Sequence, residues 1–416
     1  MAIGPIQLLK EANSAQRSTL IAASLGWMLD AFDAMLYALV LTYVMRDLGM
    51  SKAASGFLYT LTLLASGIGG VFFGFLADRI GRKRALMLSI LTYSVCSFAS
   101  GLSTTVLMLA VFRFILGLGM GGEWNTGATL VAETWPDELR AKALSVVQSS
   151  WAIGYALAAL VAGIVLRYAN WRMVLFVGIL PAIVTLWIQN RVPESGMWLE
   201  HEKQSVAVIG VVFDNSFFAI FRRPYGKSTI ALLLLNFFGL FGWWGLFTWI
   251  PPYLSLPVSQ GGRGLSLVKT TGWLIVMGVG KFLGYTSFGF AADTFGRRKS
   301  YVTYLLVAAA LVPIYGFASS PALLLFLGPF VAFFGTGHFS GFAAIVSEIF
   351  PTEIRATAMG ASYNIGRGTS AAAPFVIGLL ARYFGLGPSF LLLAGAFLVA
   401  GLLALALPET RGKQLE

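Results

Sequence analysis

The sequence of 416 residues contains few of the residue types on which soluble domains and most catalytic centres depend. Only 11% of the residues are charged, and the chain has two histidines and a single cysteine, Cys96. One cysteine excludes a disulfide within the chain. No nucleophile–base pair, metal-binding cluster or phosphate-binding loop stands out. We therefore expect neither an enzyme nor a metal site or organic cofactor.

Long apolar segments make up most of the chain. Hydrophobic residues account for 57% of it and the mean hydropathy is +0.78, far from the composition of a soluble domain. Uncharged runs recur that are long enough to cross a hydrocarbon core of ~30 Å. The pattern predicts an all-α membrane protein with twelve transmembrane helices. Their predicted ranges are 19–45, 54–77, 84–104, 106–133, 141–166, 171–190, 228–254, 266–292, 299–318, 321–348, 357–383 and 387–408.

Several residues of the first half of the chain recur in the second half at a constant offset of 215 positions. Asp78, for example, corresponds to Asp293. The segment GFLADRIGRKR at 74–84 returns as GFAADTFGRRK at 289–299. The same offset relates Glu133 to Glu348, Glu138 to Glu353, Arg140 to Arg355 and Pro193 to Pro408. Such self-similarity predicts two homologous units in tandem, each with six of the twelve helices.

These units are the predicted domains: a six-helix bundle at 1–190, a cytoplasmic linker at 191–227 and a second six-helix bundle at 228–416. The apolar stretch 217–221 in the linker favours a short interfacial helix. With both termini in the cytoplasm, cytoplasmic segments hold 19 of the 29 Lys and Arg residues and outside loops hold 7. The net charge of +11 therefore indicates orientation in a membrane and not nucleic-acid binding. We expect a monomeric, multi-pass protein of the bacterial inner membrane, in contact with the lipid bilayer.

The segment at 74–84 resembles the hallmark loop G-x-L-A-D-R-x-G-R-K-R of the major facilitator superfamily, and 289–299 resembles its weaker second copy. The likeness covers nearly the whole chain. It implies a fold of two six-helix bundles and a membrane transporter.

A gating cluster is expected at the cytoplasmic helix ends, where helix N-termini and loop cations stabilise carboxylates. Such contacts between bundles can lock one conformation and release in another. The alternative is that these charges only orient the loops. We pair Glu133 with Arg140 and Glu348 with Arg355, and expect no gating residue to touch substrate. The predicted gating residues are Asp78, Arg82, Glu133, Arg140, Asp293, Arg297, Glu348 and Arg355.

Three acids, three bases and one histidine are predicted near the middle of the spans, where an ionisable group is costly and usually faces a cavity or a partner. At ~1.5 Å per residue, Lys281 and Arg367 lie ~18 Å from the cytoplasmic helix ends. Glu123 and His338 are related by the repeat and lie ~15 Å deep by the same count. This layer is where such transporters bind substrate. The seven are Asp30, Asp33, Arg113, Glu123, Lys281, His338 and Arg367.

The acids of this layer are candidate proton carriers, and the proton is the expected coupling ion. Asp30, Asp33 and Tyr37 share one face of the first helix. A carboxylate in a partly dry cavity tends to keep its proton unless a cation stabilises the charge. The run from Arg113 to Glu123 resembles the fourth-helix motif of proton-coupled members, which implies that Asp33 pairs with Arg113. Asp30 is the second choice, and a purely structural ion pair is the alternative.

Two cations of the second half, Lys281 and Arg367, have no acid of that half at their depth. Uncompensated positive charge in a cavity predicts an anionic ligand, most simply a carboxylate. The alternative is that both cations neutralise the three acids of the first half. His338 either relays protons or makes a hydrogen bond. The other predicted substrate contacts are Tyr37, Asn236, Tyr363 and Asn364.

The segment WMLDAFD at 27–33 resembles the D-x-F-D signature of superfamily members that are proton symporters for organic acids, and YNIGR at 363–367 fits that group. The resemblance implies proton-coupled uptake of a small carboxylate by alternating access. A proton-coupled sugar or polyol symporter is the first alternative, and a drug/proton exporter is the second. The seventh helix offers one amide, Asn236, which counts against a sugar, and Gly154 lacks the following proline typical of exporters.

Overall fold

The computed structural model describes residues 12–50, 52–207, 217–255, 257–258, 262–265 and 267–415. Within these ranges the chain is helical and has no β-strand. Ten helical segments of this part are long and apolar enough to cross a membrane. The predicted spans 84–104 and 357–383 are also helical but are not among the ten. Buried serines make the first more polar, and the second is interrupted.

The first repeat folds into seven helices and a short 3-10 turn. Asn13 caps the first: its Oδ1 accepts a hydrogen bond from Gln16 N at 2.9 Å, and Gln16 Oε1 accepts one from Asn13 N at 2.9 Å. Gly81 alone separates the second helix from the third, with a φ of 98° that glycine adopts without strain. The helices are α1 (Ser14–Asp47), α2 (Lys52–Ile80), α3 (Arg82–Gly101), α4 (Val106–Thr134), α5 (Arg140–Tyr168), α6 (Trp171–Phe176) and α7 (Leu180–Arg191).

The rest of the described chain continues through a linker into the second repeat. Gly296 repeats the turn made by Gly81, with a φ of 106°. The predicted interfacial helix is a single 3-10 element, Phe217–Phe221. The α-helices are α8 (Gly196–Ala207), α9 (Gly226–Ser255), α10 (Leu267–Phe295), α11 (Arg297–Phe317), α12 (Pro321–Gly337), α13 (Phe339–Ile349), α14 (Arg355–Ser370), α15 (Ala373–Phe384) and α16 (Leu386–Leu405).

Four features differ from the predicted helices. The predicted span 171–190 is divided into α6 and α7 by a short 3-10 turn. The linker contains α8, which the sequence pattern did not predict. The predicted span 321–348 is interrupted at His338, where Gly341 N bonds back to the His338 carbonyl at 3.1 Å and tightens the turn. The predicted span 357–383 is interrupted between α14 and α15, because Pro374 lacks an N–H and its ring crowds the preceding turn.

Large apolar side chains stay exposed around the outside of the helices. Leu107 is 75% exposed and Phe375 is 74% exposed, as befits side chains that face hydrocarbon. The centre holds the opposite pattern, with charged and amide side chains fully buried. This inversion of a soluble protein's arrangement agrees with helices that span a bilayer.

The repeats meet along two pairs of helices, α2 with α14 and α5 with α10. The offset of 215 relates these pairs to each other. Glycine makes both contacts close: a Cβ on Gly360 of α14 would lie 2.2 Å from the Gly70 carbonyl oxygen of α2. A Cβ on Gly289 of α10 would lie 2.5 Å from the Ala141 carbonyl oxygen of α5. The backbones of the two repeats therefore touch, which only glycine permits.

Replacing Gly360 by alanine is expected to push α14 away from α2 and to slow transport by about tenfold. Forcing a methyl group into a closed contact costs about 1–3 kcal/mol, and about 1.4 kcal/mol is a factor of ten. The control is Gly163→Ala on α5, where a Cβ has nothing within 4 Å. Initial uptake rates, normalised to purified protein, are the measurement. Equal rates in the two variants would contradict the proposed close contact.

Candidate functional site

The first cluster of gating residues surrounds Glu133, whose side chain is fully buried at the end of α4. Arg82 donates to it twice, from Nε to Oε2 and from Nη2 to Oε1, both at 3.0 Å. Arg355 of the other repeat donates from Nη1 to Oε1 at 2.6 Å. One carboxylate thus joins a cation of its own repeat to a cation of the other.

The second cluster has the same construction around Glu348. Arg297 donates from Nη2 to Glu348 Oε1 at 3.0 Å, and Arg140 of the first repeat donates from Nη1 to the same oxygen at 3.2 Å. The sequence correctly grouped these residues but predicted the wrong partners. The structure pairs Glu133 with Arg355 and Glu348 with Arg140, so that each glutamate reaches across to the other repeat.

The two loop aspartates also reach the opposite repeat. Asp78 accepts hydrogen bonds from the Thr357 backbone N at 2.9 Å and from Thr357 Oγ1 at 2.8 Å, at the first turn of α14. A carboxylate is stabilised at a helix N-terminus by unpaired N–H groups. Asp293 pairs with Arg297 and lies 3.8 Å from Lys142 Nζ on α5. The predicted gating residues therefore form one closed layer between the repeats.

Two further carboxylates of this layer were not predicted. Glu194 Oε1 accepts hydrogen bonds from the backbone N of Arg82 at 2.9 Å and of Lys83 at 3.0 Å, and so caps α3. Glu409 Oε1 caps α11 in the same way, with Arg297 N at 2.8 Å. The sequence carried the signal, because both glutamates follow the repeated prolines. This layer contains the predicted gating residues, Asp78 and Asp293 among them, and the capping residues Glu194 and Glu409. We call it the charged end of the molecule.

Deeper in the first repeat, Asp33 of α1 is fully buried and accepts a short hydrogen bond from Ser97 of α3. Arg113 of α4 is the cation that acts on it through space. The Arg113 guanidinium lies over the Tyr37 ring, 4.1 Å from its centroid. Arg113 therefore acts on Asp33 at a distance, whereas the hydrogen bond to Asp33 comes from Ser97, and the direct Asp33–Arg113 pair stays a prediction. The Tyr37 side chain that packs against Arg113 is itself fully buried.

Asp30, one turn earlier on α1, lies at the boundary between the repeats. Neither of its carboxylate oxygens has a hydrogen-bond partner in the described part of the chain. Arg367 of α14 is the cation that acts on it through space. Glu123 of α4 is also buried without a hydrogen-bond partner among the described residues, its Oε1 against the backbone of Gly26. Asp30 and Glu123 are thus neighbouring carboxyl groups without hydrogen-bond partners in the described part of the chain, and Arg367 acts on the first of them.

Three cavities lie between the repeats at this depth. The first narrow cavity, of about 20 Å³, is lined by Arg113 and Arg367, cations of different repeats. The second narrow cavity, of about 30 Å³, is lined by Arg367 and Tyr363. The wide cavity, of about 470 Å³, is lined by Lys281. The sequence placed Lys281 and Arg367 in one layer, but they line different cavities.

The remaining predicted contacts serve mainly to join helices. Asn364 Nδ2 donates to the carbonyl oxygen of Gly121 on α4 at 3.3 Å, and so links the repeats. Asn236 Nδ2 donates to the carbonyl oxygen of Ser362 at 3.0 Å and holds α9 against α14. His338 is buried at the break between α12 and α13 and lines none of the three cavities. Of the predicted substrate contacts, Arg367, Tyr363 and Lys281 line these cavities.

Tryptophans that the sequence did not single out form the walls between the cavities. Trp151 of α5 and Trp244 of α9 line all three, and Trp243 lines the wide cavity and the second narrow one. Trp27 of α1 packs on Trp151 with ring centroids 4.5 Å apart. Their positions along the helices place these tryptophans near the charged layer, but they were not predicted as substrate contacts, because aromatic residues in helices are more often packing residues than ligands.

Membrane-spanning helices around a buried charged centre, closed at one end by paired cations and carboxylates, define a polytopic membrane transporter. The family model of the Major Facilitator Superfamily matches residues 23–287 and 266–416. The chain belongs to this superfamily. It is a multi-pass protein of the bacterial inner membrane, and its fold and relatives are those of transporters and not of enzymes.

Individual proteins agree with this assignment. The sialic acid transporter NanX of Escherichia coli is 32% identical over 391 residues, which cover 93% of this chain and 93% of that protein. The cis,cis-muconate transport protein of Acinetobacter baylyi is 31% identical over 382 residues, covering 92% and 91%. The structure of the proton:xylose symporter XylE superposes with a TM-score of 0.80 at 20% identity, covering 97% of this chain and 98% of that one. This last likeness concerns the fold.

Proposed function

We propose that the protein takes up a small organic carboxylate together with protons by alternating access. In this proposal residues 1–190 and 228–416 are two six-helix bundles, joined by the linker 191–227. Both termini and the charged end face the cytoplasm, as the excess of Lys and Arg there favours. The names of the relatives above, transporters of sialic acid and of cis,cis-muconate, support an organic acid as the substrate.

The observation that carries the proposal is the narrow cavity shared by Arg113 and Arg367. Each arginine has an acid of α1 as its electrostatic partner, Asp33 for Arg113 and Asp30 for Arg367. A second carboxylate that joins an arginine already paired with an acid brings an extra buried negative charge, so its binding is favoured when the first acid is neutralised. Two arginines facing one space are therefore suited to an anion that arrives with protons.

Coupling follows from competition for the same cation. A proton that binds a carboxylate oxygen of Asp30 removes the charge that holds Arg367, and the guanidinium can then donate two parallel hydrogen bonds to the substrate carboxylate. Loss of the proton restores the Asp30 charge and expels the anion. Asp33 and Arg113 provide a second pair of the same kind. Glu123, buried without a cation partner, is best accommodated as the neutral acid and can supply Asp30.

The charged end acts as the cytoplasmic gate. Hydrogen bonds and ion pairs at this end cross between the repeats, so the described conformation is closed towards the cytoplasm and loads from the opposite side. Rocking of the bundles would break these contacts and open the site inwards. The crossing pairs include Glu133 with Arg355, Glu348 with Arg140, Asp78 with Thr357, Asp293 with Lys142, and Arg82 Nη2 with the Thr352 carbonyl at 2.7 Å.

Uptake into proteoliposomes with an imposed inward proton gradient tests the proposal. The panel is labelled lactate, pyruvate, benzoate, sialate and a neutral sugar. We expect accumulation of at least one acid and none of the sugar. Accumulation of the sugar alone would overturn the proposal in favour of a sugar symporter, with the buried cations serving only internal charge balance.

Replacing Arg367 by glutamine is expected to abolish accumulation of the acid. The change removes the charged fork that receives the carboxylate in the narrow cavity and leaves Asp30 without its cation. Arg167→Gln is the matched control, because this arginine is exposed near the end of α5, away from the cavities. Uptake by Arg367→Gln at the rate of the control would exclude Arg367 from the substrate site.

A further inference from the structure

The wide cavity around Lys281 is separate from the narrow cavity at Arg367 and differs from it in size and chemistry. We propose that it is an outer binding station for a carboxylate on a flat, unsaturated body, and that the ligand occupies it before it reaches Arg367. This inference rests on the proposed function, since it assumes an anionic substrate that enters from the side opposite the charged end.

The wide cavity and the narrow cavities differ in volume. A small-molecule site typically occupies ~300–1,000 Å³, and a single water needs roughly 10–15 Å³. The wide cavity of about 470 Å³ has the volume of a small-molecule site. The narrow cavities of about 20 and 30 Å³ are closer to the volume that a single water needs. In the described conformation a substrate therefore fits at Lys281 and not at Arg367.

Position gives the order of binding. α9 begins near the charged end, where Tyr225 packs against Phe350 with ring centroids 5.5 Å apart. The walls of the wide cavity include Ile250 and Pro251, close to the far end of the same helix. The wide cavity thus extends away from the charged end, towards the opposite side of the membrane. A molecule entering from that side meets Lys281 first.

The cation supplies the anion preference. The Lys281 ammonium lies 3.8 Å from the centroid of the Phe247 ring and 5.1 Å from that of Trp243. No carboxylate in the described part of the chain lies within ion-pair distance of it. A half-buried ammonium that has ring faces as its neighbours remains short of negative charge. A ligand carboxylate would supply that charge while the rings stay in place.

The walls supply the preference for a flat body. Six rings line the space beside Lys281, and flat groups can stack on ring faces. Besides Lys281, the hydrogen-bonding groups of the walls are Thr248, the two tyrosine hydroxyls and the indole N–H groups. A polyhydroxylated acid would leave several hydroxyls unpaired there, which disfavours its binding. The rings are Trp151, Tyr155, Trp243, Trp244, Phe247 and Tyr285.

Two tryptophan side chains separate the outer station at Lys281 from the deep station at Arg367. Trp151 and Trp244 line both the wide cavity and the narrow cavity that holds Arg367. A ligand that moves inward must pass between these rings, and the narrow cavity must expand to receive it. Lys281 and Arg367 therefore act in sequence and not as one joint carboxylate clamp, which was the prediction from their equal depth.

The selectivity test compares matched acids. Benzoate, cyclohexanecarboxylate and sialate are measured as substrates in proteoliposomes with the wild-type protein and Lys281→Met. We expect benzoate to have an apparent KM about tenfold below that of cyclohexanecarboxylate, because only its ring stacks flat. Lys281→Met should raise the benzoate KM by about tenfold with little change in maximal rate, because the deep station is intact. Lys227→Met, at an exposed lysine at the start of α9, is the control.

Direct binding distinguishes two stations from one. Benzoate is titrated into detergent-solubilised protein, and the quenching of tryptophan fluorescence is recorded for Lys281→Met, Arg367→Gln and the double variant. We expect Arg367→Gln, which cannot transport, to keep a saturable quenching phase that the double variant loses. Absence of that phase in folded Arg367→Gln protein would overturn the separate station.

The outcomes separate this inference from the proposed function. If no carboxylate is accumulated by the wild-type protein, the proposed function fails. If carboxylates are accumulated but benzoate and cyclohexanecarboxylate have equal KM values, the flat-body preference is wrong and the proposed function stands. Thermal stability of Lys281→Met equal to that of Lys227→Met excludes misfolding as the cause of a raised KM.

Discussion

Glu133→Gln is expected to reduce uptake by about 100-fold or more and to leave the charged end open. The side chain is fully buried and is bonded by Arg82 and by Arg355 of the other repeat. Removal of one partner from a buried ion pair costs about 3–5 kcal/mol, because the remaining charge is left uncompensated. At about 1.4 kcal/mol per factor of ten, the closed conformation loses at least a hundredfold in population.

Opening of the charged end can be followed with a single reporter thiol. Ser145 of α5 is fully buried at the contact with α10, where a Cβ on Gly289 would lie 2.3 Å from its Oγ. We expect Ser145→Cys, in a Cys96→Ala background, to be labelled slowly by a membrane-impermeant maleimide from the cytoplasmic face. Addition of Glu133→Gln should make labelling much faster.

Glu138→Gln is the matched control for this experiment. It makes the same chemical change five residues later, in the same loop, on an exposed side chain. We expect it to leave labelling and uptake unchanged, because exposed charges contribute about 0–1 kcal/mol. Slow labelling and normal uptake in Glu133→Gln would show that the buried glutamate does not hold the gate.

The partners of Glu133 illustrate what the sequence can and cannot predict. The 215-residue offset identified the glutamates and arginines of the charged end, because a repeated fold repeats its buried charges. It did not identify the pairs, because Arg140 is near Glu133 in the chain whereas Arg355 is near it only after the repeats have packed. A contact between repeats carries no signal in the spacing within one repeat.

Lys281 and Arg367 show a second limit of the same kind. Counting residues along a helix gives the expected depth of a side chain, and on that count both cations were predicted to lie in one central layer. Depth does not give the direction in which a side chain points or what lies between two side chains. Trp151 and Trp244 lie between these cations, and no periodicity in the sequence places them there.

Helix limits were predicted better, because apolar runs of spanning length report directly on helices in a membrane. The predicted range 106–133 corresponds to α4 (Val106–Thr134), and 228–254 to α9 (Gly226–Ser255). The interruption at His338 was missed because a break of one residue leaves the apolar pattern intact. The helix α8 was missed because it is short and polar, so that hydropathy does not reveal it.

Asp30→Asn is expected to abolish accumulation against a gradient while substrate binding and exchange remain. Asparagine cannot carry the coupling proton, and its neutral amide leaves Arg367 permanently available to the substrate. A one-proton symporter accumulates its substrate about tenfold per pH unit of gradient, and this ratio should fall to about one. Binding should also lose its dependence on pH between about 5 and 8, because the group that competes for Arg367 no longer ionises.

The same substitution at Asp33 separates the two acid–arginine pairs. Asp33→Asn should also keep binding and counterflow and lose accumulation, but its binding should still depend on pH, because Asp30 continues to compete for Arg367. Asp47→Asn is the control on the same helix, with a side chain that is 48% exposed. Counterflow of labelled substrate, accumulation ratio and binding at several pH values are measured for all three variants. Wild-type accumulation by both Asp30→Asn and Asp33→Asn would rule out the acids of α1 as the coupling groups, and Glu123 would then be the remaining buried carboxyl group of this layer.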